Sequence, residues 1–197
     1  MFSDKKLFRY VTNKLGPFLI LATNLLNFQN PRFLYKYKNF ICRVCGINIG
    51  KEVLLSSGFK CLYPSNITLQ DNVSIGHDNS IWAFNRVVIG KYTHTAKDLL
   101  IISGSHENDS FSPKECNQEV IIGQGCWIGV RVTILGGVKI GKGCIIGACS
   151  LVNKDIPDWS IAVGVPAKVI KKREPAVEIT SPLKNYSPED LEDLFLV

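Results

Sequence analysis

The sequence predicts an all-β fold, a parallel β-helix of about five coils with helical segments at its ends, and three observations predict it. First, Ile122, Ile128, Ile134, Ile140, Ile146 and Val152 recur every six residues, and Ile122, Ile128, Ile140 and Ile146 are each followed by glycine. A lone strand repeats every two residues and a helix every 3.6, so a period of six fits neither. It fits a chain that turns a corner every six residues and sends one aliphatic side chain inward per face, three faces closing a coil of about 18 residues. Second, the same count runs backwards through Ile49, Leu55 and Cys61, then Leu69, Ile75 and Ile81, then Ile89, Thr95 and Ile101. Third, the steps that break the period all fall between sets of three: eight residues from Cys61 to Leu69 and from Ile81 to Ile89, and 21 from Ile101 to Ile122. The extra residues therefore gather at one corner, near Pro64–Ser65, near Ala83–Phe84 and in a loop over 103–119.

The elements follow in order. Residues 1–46 form a helical capping segment. Phe8 to Phe28 is loosely helical in its spacing, and Gly16–Pro17 is expected to divide it into two parts. Between Arg32 and Val44 the residues Phe33, Leu34, Tyr37, Phe40, Ile41 and Val44 fall on one helical stripe, which predicts a helix sealing the open end of the first coil. Residues 47–156 are the repeat domain, its short parallel strands stacked ~4.8 Å apart. Residues 157–197 are the exit. Pro157 and Pro166 delimit an irregular stretch, and Ser187-Pro188-Glu189-Asp190 reads as an N-cap, a proline at N1 and acids in a first turn, predicting a short helix over 188–195.

Composition bounds the function. With 46% hydrophobic and 20% charged residues, the 197-residue chain is a soluble globular type with enough length for a real core. The net charge of +6 is uneven, since residues 1–60 hold ten Lys or Arg and two acids. Such a front end faces water, anionic lipid, nucleic acid or a phosphorylated ligand. No aromatic stacking platform or nucleic-acid motif accompanies it, so no nucleic-acid partner is expected. The apolar run from Pro17 to Ala22 is too short to span a bilayer and lacks a leader's cleavage pattern. A cytoplasmic protein is expected, at the inner membrane face if its acceptor is lipid-linked. Seven cysteines with one isolated C-x-x-C (Cys42, Cys45) read as reduced, buried thiols, and His77, His94 and His106 do not space as a metal motif, so no metal is assigned.

Two local motifs join the repeat. Ala162-Val163-Gly164-Val165-Pro166-Ala167-Lys168 is similar to the G-x-P-A-K segment that closes the solenoid of the hexapeptide-repeat acyltransferases. Ile102-Ser103-Gly104-Ser105-His106-Glu107 resembles the T-G-S-H-D segment of the members that acetylate sugars in bacterial polysaccharide synthesis. The resemblance runs from about Ile47 to Lys172. It implies a left-handed β-helix, a homotrimer with sites between neighbouring solenoids, acetyl-CoA as acyl donor and a sugar or glycan hydroxyl as acceptor. Two alternatives stand beside it: N-acetylation of a nucleotide-linked amino sugar, and a trimeric scaffold without activity.

His106 matches the family's catalytic histidine. A free hydroxyl is a poor nucleophile, and imidazole titrates near neutrality and accepts its proton. Residue 107 is glutamate where the motif has aspartate; Glu107 and Asp109 are candidates for steadying His106 or binding acceptor. The register places Asn85 one coil below Ser105 and His106, where its amide either holds a substrate or intermediate oxygen or bonds its own backbone. Trp82 starts that corner and stacks on a sugar, packs a subunit interface or simply packs the corner itself. On the cofactor side Trp127 either lies beside the acyl group, as the resemblance implies, or packs at a trimer interface. Gly129, Gly136 and Gly147 are mostly structural, a missing Cβ permitting tight corners and positive φ, and the resemblance implies that small residues there let the pantetheine arm approach. Lys154 and Lys168, with Lys171, Lys172 and Arg173, form a basic patch suited to nucleotide phosphates.

Overall fold

The computed structural model describes residues 4–23, 31–106 and 118–175. The loop segment 107–117 and the helix expected over 188–195 lie outside the described residues. The body is a left-handed parallel β-solenoid whose two- and three-residue strands form three faces. Every inward position counted from the period of six pairs as expected. The first face stacks Ile49, Leu69, Ile89, Ile122 and Ile140; the second Leu55, Ile75, Thr95, Ile128 and Ile146; the third Cys61, Ile81, Ile101, Ile134 and Val152. These side chains are all buried and make one continuous apolar lumen. Among the polar groups that enter it, Asn79 Nδ2 donates to Thr95 Oγ1 (2.6 Å), and Asn79 Oδ1 accepts from the Leu99 amide (2.7 Å). Both partners are satisfied, which a buried polar group requires.

The glycines after the inward residues do a different job from the one the sequence implied. Positive φ falls instead on the residues at the tips of the first two corners, including Glu52, Asn72 and Tyr92, and Asp78, Asp98 and Arg131. Gly129 and Gly147 are not among the positive-φ residues. A Cβ on Gly129 would lie 2.7 Å from the Ala148 amide, and one on Gly147 would lie 2.6 Å from Val163 Cγ1. These glycines let one coil sit directly on the next.

The solenoid also runs further than 156. After Val152 the next inward residue comes four positions on, at Ile156, which bridges Ile140, and six later Ala162 pairs with Ile146. The expected irregular exit is thus a partial sixth coil followed by an antiparallel hairpin, strands Ser160–Val163 and Lys168–Lys172. The shortened step hid it.

Two helices close the other end. Helix α1 (Asp4–Thr23) contacts the third strand of the first coil and the 3-10 turn Pro64–Asn66, and α2 (Pro31–Val44) contacts the first two strands. Contrary to expectation α1 is not divided at Gly16–Pro17; it runs through Pro17. Gly16 is the point of closest approach, where a Cβ would stand 3.1 Å from Pro64 Cγ and 3.2 Å from Cys45 Cβ. Docking at Gly16 therefore outweighs the donor lost at proline. In α2, Asn39 Nδ2 donates to the Val53 carbonyl (2.7 Å) and Lys38 Nζ to the Ser56 carbonyl (2.5 Å), fastening the helix to the coil. Burial lowers the Lys38 pKa to about 8 and pushes the Cys42 thiol up to about 12.

Candidate active site

The site is built at the third corner, where the period of six is broken. Strand Leu100–Ile102 ends in Ser103, which is fully buried. Asn85 holds it from the coil below. The Asn85 amide N–H donates to the Ser103 carbonyl (2.9 Å) and Oγ (3.0 Å), Asn85 Nδ2 donates to the same carbonyl (2.9 Å), and Ser103 Oγ donates back to the Asn85 carbonyl (2.7 Å). The sequence register had placed Asn85 under Ser105 and His106; its partner is Ser103. The Phe84 ring fills the space beside Gly104, so that a Cβ there would meet it at 2.9 Å. Of the two roles for the asparagine, the backbone bond occupies its Nδ2. Its Oδ1 has no hydrogen-bond partner among the described residues.

Three residues beyond this lock stands His106, exposed, at the point where the chain leaves the solenoid. A rigid corner thus carries an imidazole to the surface. Glu107 and Asp109 lie outside the described residues. Gly136 belongs to the same corner one coil on. A Cβ on it would stand 2.7 Å from Gln118 Oε1 and 3.1 Å from the Gly104 amide. Lys154 lies on this corner in the fifth coil, exposed. Trp82 projects outward from the third face, 41% exposed, in register with Leu62 and Ile102.

The remaining candidates are elsewhere. Trp127 projects from the second face and Gly129 and Gly147 follow on that face's corner, across the triangular section from His106. One chain therefore does not bring Trp127 and His106 together. Lys168 is exposed on the terminal hairpin with Lys171. The rest of the expected basic patch is engaged in structure: Lys172 Nζ donates to the Asp158 carbonyl (3.2 Å) and Ser160 Oγ (3.0 Å), and Arg173 Nη1 to the Gly143 carbonyl (2.6 Å). Among the described residues no group of three or more His, Cys, Asp or Glu is placed to hold a metal ion.

Sequence reasoning passed over His94. It lies under Trp127, the rings stacked 6.4 Å apart at 18°, and it is only 6% exposed. Its Nε2 has no hydrogen-bond partner among the described residues. Burial lowers its pKa to about 4, so the ring is neutral at physiological pH. The register Ser74, His94, Trp127 along one outward column was the available signal.

A parallel solenoid with a histidine-bearing loop at one corner defines a class, and comparison with known proteins places the chain in it. Residues 119–154 match the family model described as bacterial transferase hexapeptide (six repeats). The chain is 32% identical over 144 residues to the putative colanic acid biosynthesis acetyltransferase WcaF of Escherichia coli K12, covering 73% of this chain and 79% of WcaF. It is 35% identical over 167 residues to the putative lipopolysaccharide biosynthesis O-acetyl transferase WbbJ of the same organism, covering 78% of this chain and 84% of WbbJ. In three dimensions it superposes on a maltose O-acetyltransferase from Clostridium difficile 630 with a TM-score of 0.74 and 27% identity, over 85% of this chain and 89% of that one. The chain belongs to the hexapeptide-repeat acetyltransferases. It is an acyltransferase of the sugar and polysaccharide O-acetyltransferase type.

Proposed function

We propose that the protein transfers an acetyl group from acetyl-CoA to a hydroxyl of a sugar or glycan, with His106 as general base. The observation that carries this is the exposed His106, set at the mouth of the one long excursion by the buried Asn85–Ser103 lock. Imidazole takes the proton of the acceptor hydroxyl as its oxygen attacks the thioester carbonyl carbon. The C–S bond then breaks, and the thiolate leaves as free CoA with the proton returned from the imidazolium. Asn85 is a positioning residue in this scheme, and its uncommitted Oδ1 is available to a substrate hydroxyl.

Trp127 enters the site from a second copy. A flat, half-exposed indole seated on a neutral imidazole makes a dry wall for a thioester, and only a neighbouring subunit in a homotrimer would present it to His106. Gly136 sits beside Gly104 at the His106 corner, while Lys154, Lys168 and Lys171 are exposed cations placed to meet nucleotide phosphates. For Gly129 and Gly147 the stacking of coils is a sufficient reason.

The test is acetyl-CoA turnover against nucleotide sugars, lipid-linked glycans and free sugars, with thiol release and product mass as readouts. His106→Ala and His106→Asn are expected to lower the rate by roughly 10²–10⁴ with little change in acetyl-CoA affinity. Turnover within threefold of the parent in both would remove His106 from the role. An amide product would move the acceptor to an amino sugar.

A further inference from the structure

The helical cap turns the wrong way out for a solvent-facing surface. Among the described side chains of helix α1, Tyr10 to Ala22, those buried against the first coil are a narrow stripe, Thr12, Gly16 and Ile20. Its larger apolar side chains look outward: Phe18 is 72% exposed, Leu15 57% and Leu19 52%. Helix α2 does the same, burying Cys42 while Phe40 is 59% exposed, with Tyr37 and Val44 beside it. A surface helix of a globular protein normally points its apolar stripe at the core. Of the stripe expected to seal the first coil, Tyr37, Phe40 and Val44 therefore face outward instead.

The two helices together touch all three strands of the first coil, so their outward sides share the end of the solenoid. A contiguous exposed apolar surface marks a protein or membrane contact. Charge decides between them. Residues 1–46 hold eight Lys or Arg against a single acid, Asp4; Lys38 and Arg43 bond back to the coil, while Lys14 and Lys36 are exposed among the described side chains. Cap-on-cap packing of two copies would bring those like charges together. A negatively charged lipid surface attracts them while its interface receives the phenylalanines and leucines, the composition of helices that lie in a membrane plane. Among the described residues no helix is long and apolar enough to cross a membrane, so the contact is one-sided.

We infer that the α1–α2 cap docks the enzyme on an anionic membrane, with the solenoid axis rising from it. The geometry then constrains the acceptor, a step that rests on the acyl-transfer reading above. A helix layer adds about 10 Å and two coil steps add about 10 Å more, which puts His106, at the third coil, roughly 20 Å above the lipid. A hydroxyl at that height belongs to an oligosaccharide extended from a lipid anchor rather than to a first sugar against the headgroup.

The experiment is flotation of the full chain with phosphatidylcholine vesicles, with and without 30% phosphatidylglycerol, at low and high salt and without acyl donor. Binding is expected on the anionic vesicles at low salt alone. Phe18→Gln combined with Phe40→Gln should lower the partition coefficient tenfold or more, with circular dichroism melts and turnover on a soluble acceptor near the parent's. Absence of flotation on anionic vesicles, or equal flotation of the parent and the variant, would overturn the docking. A parent assembly that halves in mass in the variant by light scattering would also overturn it, assigning the cap to a second copy. Because flotation is read without turnover, its failure leaves the acyl-transfer reading standing. Loss of turnover likewise leaves the docking standing.

Discussion

At the residue scale, a short motif singles out His106 as a candidate, while the hydrogen-bond partner of Asn85 and the burial of His94 were not legible. A sequence states that an asparagine stands at a corner. It does not state which of its atoms finds a carbonyl, and here Nδ2 bonds Ser103, two residues before the Ser105 that the register set above it. His94 was passed over because a histidine before an inward threonine reads as a surface residue; its burial depends on the indole laid over it from the next coil. That burial has a measurable consequence. Its pKa, held down to about 4 from the ordinary 6.5, means that between those pH values the unfolded chain binds a proton the folded chain does not. Stability is therefore complete above the unfolded value and is lost as pH falls toward 4, by about 3 kcal/mol at most for this one group. His94→Leu should melt with a shallower loss of Tm between pH 6.5 and 4.5 than the parent. Identical pH slopes would show that the ring is not kept neutral in the fold.

At the element scale, the solenoid was nearly all legible because one periodicity fixes both the strands and their register. An inward residue every six positions leaves no freedom in pairing, and Ile49 to Val152 pair as counted. The miss at Ile156 arises where the step shortens to four and a proline follows, two signals that ordinarily mean the end of regular structure. The miss at Pro17 arises because a local rule was applied to a helix whose position is set by tertiary docking. The glycines give a direct test of what the repeat needs. Gly125 has φ of +66°, so Gly125→Ala costs the left-handed conformation, about 1–2 kcal/mol. Gly129→Ala instead forces a methyl toward the backbone of the next coil, a case of overpacking between rigid layers at about 1–3 kcal/mol. Combining Gly129→Ala with Ala148→Gly should not rescue it, because the obstacle is a backbone amide. Urea titration of the three variants checks this, and a Gly129→Ala protein as stable as the parent would place the repeat's glycine requirement elsewhere.

At the scale of the whole molecule, the distribution of the candidate site argues for assembly more strongly than any single exposed side chain does. His106 stands on one corner of the triangular section, and Trp127 stands on the opposite face. The lumen between them is filled by fully buried residues such as Ile101 and Ile128, so no rearrangement within one chain joins them. If both serve one reaction, each site takes its histidine from one subunit and its tryptophan from the next. Mixing two inactive variants tests this. His106→Ala and Trp127→Ala proteins, co-refolded at equal concentration, produce trimers in which a corner with His106 meets a face with Trp127 in about one quarter of sites. Activity should rise from near zero in either variant alone to about a quarter of the parent's, and light scattering should report the trimer throughout. Residues acting from the same chain cannot be restored by mixing, because every chain then lacks one of them. No recovery from a mixture shown to exchange subunits would therefore return Trp127 to a packing role and confine the chemistry to the His106 corner.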